Sequence, residues 1–205
     1  TCTREEIRSF ALHLALSTRS FNRSLFAILG VCDDLRAIRA LLTNVLEEEG
    51  VMSYAPGAGA TFDPERRHPA IARRFALAAG VTNDELDAMN VTPPRWFRDA
   101  LAAGNWLGPY AFVAVGTEAN IPPTFRLLIP ALREHYGFSD DDLEFFIEHV
   151  TVDDRHAMDG ARAIETIAVT EESRRQALVG ARHGAMSWWQ MLAKHVESRP
   201  SASAA

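Results

Sequence analysis

The sequence is nearly without lysine. Of its 21 basic residues only Lys194 is a lysine, and these 21 face 27 acidic residues, for a formal net charge of −6. A nucleic-acid binder carries a basic excess; none exists here, and no nucleic-acid partner is expected. The preference for Arg, with abundant Ala, points to a GC-rich bacterial genome. Cysteine is scarce too: Cys2 and Cys32 make no disulfide framework, and a reducing, cytoplasmic location is expected. No apolar run approaches the ~18 residues of a membrane span, so no membrane partner is expected. The opening, Thr1-Cys2-Thr3-Arg4-Glu5-Glu6, has neither the order of a signal peptide nor an initiator Met, so an upstream segment is expected.

Strand patterning is also missing, since β-branched and aromatic residues nowhere alternate between turn signals. Helical periodicity fills the chain instead. Ile7, Phe10, Leu14, Phe21 and Leu25 recur at helical spacing from Arg4 to about Leu29. Asp33 or Asp34 caps a second helix through Leu41 and Val45, with Gly50 as its stop. The stretch from Val51 to Arg67, with Pro56, Gly57, Gly59 and Pro64, reads as a long loop of the kind that is usually functional or mobile. His68-Pro69 opens the next helix, and Asn83 starts a short one. The segment from Arg95 to about Asn120 is apolar almost all round and belongs at the centre, broken at Gly104, Gly108 and Pro109. Pro122-Pro123, Ser139 with three Asp residues, and Thr170-Glu171-Glu172 begin the last three helices. At 205 residues and 47% hydrophobic, the expectation is all-α: a single-domain bundle of about seven helices over 1–198, with 199–205 a flexible tail.

Three features carry chemistry. In the segment Phe145-Phe146-Ile147-Glu148-His149-Val150-Thr151-Val152-Asp153-Asp154-Arg155-His156, a helix turning roughly 100° per residue puts Asp153 about 40° and His156 about −20° from His149. One face therefore presents His, Asp and His, the nitrogen and oxygen ligands that a first-row metal such as iron takes. A solvated acidic face would share that spacing, but Phe145, Phe146 and Val152 make the helix less than simply polar. Glu118 follows the most apolar segment of the chain, where a carboxylate is costly to bury unless a cation meets it. Glu47, Glu48 and Glu49 end a helix against the macrodipole and need solvent or a cation; Glu48 can point inward beside Val45. A solvated helix end fits this run as well.

Taken together, Asn44 to Gly50, His68-Pro69, Glu118 before Ile121-Pro122, Tyr136-Gly137 and His149-x3-Asp153-x2-His156 resemble the haem-oxygenase-like di-iron oxidases, relatives of the thiaminase-type (TENA) proteins and the pyrroloquinoline-quinone synthase. The resemblance runs from about Phe10 to Leu192. It implies a seven-helix bundle holding two Fe(II) ions on Glu48, His68, Glu118, His149, Asp153 and His156, with no catalytic residue beyond these ligands. It also implies O2 as co-substrate and oxidation of a small molecule such as an amino acid, small amine or carboxylate, or a fatty acid. A homodimer and an electron donor, a reductase or chemical reductant, come with it. The interval from Glu48 to His68 is longer than in many members, which leaves Glu47 or Glu49 open as the ligand. One branch of the family spends a lysine near its site, but the helix after Glu118 has Arg126 and Leu128 and no lysine, so that branch is not expected. The thiaminase branch needs a cysteine nucleophile, and nothing suggests a base beside Cys32; the metal-free quinone synthase branch lacks a full ligand set. For the substrate, Arg66 and Arg67, with Arg73 and Arg74, are candidates to pair a carboxylate, and Tyr110 and Phe146, with Trp106 and Phe145, to line a pocket. Both groups also fit ordinary surface and core roles. His13, His135, His183 and His195 are assigned none.

Overall fold

The computed structural model describes residues 2–55, 59–88 and 92–194. Its order is α1 (Arg4–Leu29), α2 (Leu35–Glu48), β1 (Val51–Ala55), β2 (Gly59–Phe62), α3 (His68–Ala78), α4 (Asn83–Ala88), α5 (Arg95–Ala102), α6 (Leu107–Ala111), a π-helical stretch (Phe112–Thr117), a 3-10 turn (Glu118–Asn120), α7 (Ile121–Tyr136), α8 (Glu144–Ile167) and α9 (Glu171–Ala193). Seven of these α-helices have eight residues or more, and the fold is all-α apart from one hairpin. The expected tail, 199–205, lies outside the described residues. No helix among them is long and apolar enough to cross a membrane.

Local sequence explains the helix ends. Thr3 accepts from the Glu6 amide at 3.1 Å while the Glu6 carboxylate accepts from the Thr3 amide at 2.6 Å, a reciprocal cap on α1. Asp34 caps α2 through the Arg36 amide at 2.8 Å. Thr170 and Ser173 form the same reciprocal pair at α9. Gly137, with φ +77°, closes α7 in the left-handed conformation that favours glycine.

The segment read as a long loop is partly ordered. β1 and β2 pair antiparallel, Val51 opposite Phe62 and Ser53 opposite Thr61, with an irregularity between Val51 and Ser53. The hairpin returns the chain to its starting point, where the Asp63 amide donates to the Gly50 carbonyl at 2.9 Å. The end of α2 and the start of α3 are thereby brought together, and with them Glu48 and His68.

Two apolar clusters form the core. One joins Phe10, Phe75, Phe125 and Phe146 across α1, α3, α7 and α8; the other joins Leu25, Leu41, Phe97 and Val113 across α1, α2, α5 and the π-helical stretch. Along α8, Phe145 and Phe146 belong to the first cluster and Ala163 to the second, with His149, Asp153 and His156 buried between them.

The central apolar segment packs on α9 with almost no side chain between the backbones. A Cβ on Gly184 would overlap the Phe112 carbonyl oxygen and stand 2.7 Å from Gly116 Cα; one on Gly180 would overlap the Gly108 carbonyl oxygen. Overpacking of this kind costs about 1–3 kcal/mol. Gly184→Ala is therefore expected to lower the midpoint of urea denaturation without changing its slope. Because Gly116 stands two residues before Glu118, the same variant is expected to weaken metal uptake.

Candidate metal centre

Six ionisable side chains meet between the two clusters. Glu118 and Asp153 are each 1% exposed, Glu48 2%, His68 1%, His149 3% and His156 6%. They come from four places in the fold: the end of α2, the start of α3, the junction after the π-helical stretch, and one face of α8. A π-helical turn shifts register relative to an α-helix and is common at functional sites; here it ends at Thr117, and Glu118 opens a 3-10 turn directed into the interior.

The six fall into two triads. Glu48, His68 and His149 each offer a ligand atom within 4.8 Å of the others', and so do Glu118, Asp153 and His156. In the first triad, His68 Nδ1 donates to Glu48 Oε1 at 2.7 Å and the His68 and His149 rings lie 4.2 Å apart. His149 Nδ1 donates to the Phe145 carbonyl at 2.6 Å, which fixes the tautomer and leaves Nε2 with its lone pair. In the second, His156 Nδ1 lies 3.7 Å from both Glu118 Oε1 and Asp153 Oδ1. Its Nε2 donates to Glu47 Oε2 at 2.7 Å. Asn44, one turn before Glu48, donates its amide to Glu118.

This geometry separates the three consecutive glutamates. Glu48 joins the cluster. Glu47 orients His156 from behind and is itself held by Arg155 at 2.5 Å. Glu49 pairs with Arg67 at 2.6 Å and accepts from Asn22 at 2.7 Å. A carboxylate behind a ligating histidine sets its tautomer, and losing one typically costs ~10–100-fold in metal affinity. Glu47→Ala is expected to weaken one of two binding events in a calorimetric titration by that factor. Glu47→Gln, which keeps an acceptor, is expected to weaken it less.

The electrostatics argue for a cation. Burial, then the neighbouring Asp153 and Glu48 charges, push Glu118 well above the usual carboxylate range despite His156 and Asn44. Burial, reinforced by Glu48 and opposed by His156, carries Asp153 up to about 6. His149 is held well below its ordinary value by burial and by His68. Burial alone would lower His156 as well, yet its contacts with Asp153, Glu47 and Glu118 raise it to about 10. Buried carboxylates that cannot all ionise together are relieved by a dication. The test of fit lies in the orphaned atoms: Glu48 Oε2, Glu118 Oε2, Asp153 Oδ2 and His156 Nδ1 are buried without a hydrogen-bond partner. All four are oxygen or imidazole nitrogen atoms of the two triads, a donor set that suits iron.

Metal binding requires Asp153 and Glu118 as carboxylates and His156 with a free lone pair, so protons compete with the metal. His156, raised to about 10, carries a proton at pH 7.5 that must leave, and the upward shift of Glu118 acts in the same direction. Net proton release on metal binding is expected in titrations run in buffers of differing ionisation enthalpy, with affinity falling as pH drops through about 6, where Asp153 takes its proton.

The triads border a chamber of about 380 Å³ between α1, α7, α8 and α9, walled by Leu14, Phe21, Phe125, Phe145, Trp188 and Met191, with Glu48, Glu118, His149 and Asp153 also in its wall. Over residues 8–189 the sequence matches the family described as iron-containing redox enzymes. The chain belongs to that family. Several curated relatives of this iron-containing redox enzyme are named 4-aminobenzoate synthase. The one from Chlamydia trachomatis is 32% identical over 176 residues, covering 80% of this chain and 68% of that protein. The one from Chlamydia muridarum is 31% identical over 177 residues, covering 81% and 67%. The Nitrosomonas europaea protein is 28% identical over 207 residues, covering 93% and 78%.

Of the residues expected at the substrate, Phe145 lines this chamber, and Arg66, Arg67, Tyr110 and Phe146 do not. Arg66 pairs with Glu148 at 3.3 Å and with Glu144 at 3.6 Å, and Arg67 with Glu49; neither lines the chamber. Phe146 is fully buried against Phe75 and Phe125, and its neighbour Phe145 takes the chamber wall. Tyr110 lines a smaller cavity on another side of the cluster. Sequence reasoning gave His13 no role, but it lines the chamber, its Nδ1 donating to the Ser9 carbonyl at 2.8 Å and its Nε2 lying 3.1 Å from Lys194 Nζ. The signal for His13 was its position on the Phe10, Leu14, Phe21 face of α1. Asn44 and Glu47 were visible only as parts of a segment, because their value lies in partners distant in sequence.

Proposed function

We propose that Glu48, His68 and His149 hold one Fe(II) and Glu118, Asp153 and His156 a second, and that the enzyme uses O2 to oxidise a small organic molecule seated in the adjoining chamber. The observation that carries the reading is the pair of buried triads whose ligand atoms lack other partners. Bound ferrous ions supply O2 with electrons. The chain's own residues do the rest. Phe145 fixes His149 through its carbonyl and Glu47 fixes His156, so each imidazole turns its other nitrogen toward the cluster. Phe125, Phe145 and Trp188 exclude water and pack the substrate's apolar body.

The substrate class we propose is an amino acid or a related small amine or carboxylate, in a biosynthetic role. The relatives' name, 4-aminobenzoate synthase, names a product that is a small aromatic amine bearing a carboxylate. The aromatic wall suits such a body. Lys194, the only lysine of the chain, stands on His13 and is remote in sequence from Leu128. The chamber also follows α1 from His13 to Ser24, roughly 16 Å at 1.5 Å per residue, and that length favours a second reading, a fatty-acid-like carboxylate. An electron donor, either a reductase or a chemical reductant, a homodimer and a cytoplasmic setting complete the proposal.

The test is an oxygen-electrode screen of the ferrous protein against amino acids, aryl amines and fatty acids. Accelerated O2 uptake with one class, absent from the iron-free protein, supports the reading and chooses between its two substrate classes. Turnover by iron-free protein contradicts it.

A further inference from the structure

Oxidation by O2 needs protons as well as electrons. Reducing O2 to two waters takes up four electrons and four protons, and the chamber wall, being mostly apolar, offers protons poorly. On another side of the cluster lies a second cavity of about 40 Å³. Tyr110, Asn44, Glu118 and His156 line it and are buried; Thr43 and Asp159 also line it and are exposed, so it lies between the surface and the cluster.

Its lining holds unsatisfied polar atoms among apolar residues. Tyr110 Oη and Asn44 Oδ1 are buried there with no hydrogen-bond partner among the described residues, although the Asn44 amide donates to Glu118. Tyr110 is 1% exposed and Asn44 5%. A phenol can donate and accept, whereas an amide oxygen only accepts, so one water accepting from Tyr110 and donating to Asn44 would satisfy both. A water's share of liquid volume is about 30 Å³, and the cavity has room for one.

We propose that this cavity holds an ordered water bound by Tyr110 and Asn44, and that it carries protons from solvent at Thr43 and Asp159 to the cluster while the chamber admits substrate. The water site stands on the cavity and its unpartnered atoms; the proton role rests on the iron reading above. Tyr110 is on this account a positioning residue, holding the water rather than touching substrate.

The experiment has two arms. A high-resolution crystal structure of the iron-free protein is expected to place one water within ~2.7–3.2 Å of both Tyr110 Oη and Asn44 Oδ1, and Tyr110→Phe to lose it. In the second arm, Fe(II)-loaded protein is mixed with O2 under conditions where 4 Fe(II) + O2 + 4 H⁺ gives 4 Fe(III) + 2 H2O. Tyr110→Phe is expected to bind as much iron as the wild type, to consume O2 on the order of tenfold more slowly, and to show a larger rate difference between H2O and D2O. A dry cavity in the wild type overturns the site. A bound water with unchanged O2 uptake in the variant overturns the proton role. If the protein takes up no iron, the iron reading fails and the proton role with it, while the crystal structure still decides the water site.

Discussion

Replacing His149 by alanine is expected to lower bound iron from two per chain to one or fewer and to cut O2 consumption by the ferrous protein on the order of 100-fold or more. His149 is the residue to choose because its other nitrogen is already committed to the Phe145 carbonyl, so its Nε2 has no competing structural duty. It is also held in its neutral form by burial and by His68, ready to ligate without losing a proton. The variant removes a ring packed 4.0 Å from Phe145, so circular dichroism and a denaturation midpoint must accompany the metal analysis. A folded variant that kept two irons and full O2 uptake would remove His149 from the centre.

The second large effect has the opposite sign in stability and in function. Glu118→Gln is expected to abolish tight binding at its triad and yet to stabilise the iron-free protein. Without metal, Glu118 is a carboxyl buried beside Asp153 and Glu48, with Oε2 unpartnered. A raised carboxyl pKa means that Glu118's own contribution to the stability of the iron-free fold is fullest at low pH and is lost as pH rises toward the folded-state value. Glutamine has the same shape, still accepts from Asn44, and carries no proton linkage. Replacing a poorly satisfied buried carboxyl is worth about 1–3 kcal/mol, or roughly 2–12 °C in Tm for a chain of this size. Adding Fe(II) anaerobically reverses the order, because ligand binding to the native state raises Tm for the wild type far more than for the variant. Thermal scans of both proteins with and without iron give the four values. Equal Tm in the iron-free pair would contradict the account of the buried carboxylates.

How much of this was legible in the sequence depended on whether the relation was local. His149, Asp153 and His156 were placed on one face because helical periodicity is a property of the segment alone, and the structure buries all three together. Glu118 stood out as a carboxylate after an apolar run, but the π-helical stretch that turns it inward has no signature in composition; the small residues that let α9 approach it, Gly180 and Gly184, act across more than 60 positions. Glu47, Glu48 and Glu49 could not be separated because a helix end leaves the next residue's direction to capping and tertiary pairs, here Arg155, His156, Arg67 and Asn22. The hairpin was read as loop because Val51–Ala55 and Gly59–Phe62 are short and lack the alternation that burial on one face imposes; Gly59–Phe62 is exposed throughout. Phe145 and Phe146 differ by one residue, about 100° on a helix, and that angle decided which ring meets the chamber and which the core.

The central claim is that the two triads hold two iron ions. Its most direct test is anomalous diffraction at the iron edge from crystals loaded anaerobically with Fe(II). The account predicts two iron peaks, one among Glu48, His68 and His149 and one among Glu118, Asp153 and His156. Iron absent from both triads, or bound only elsewhere on the chain, would contradict it.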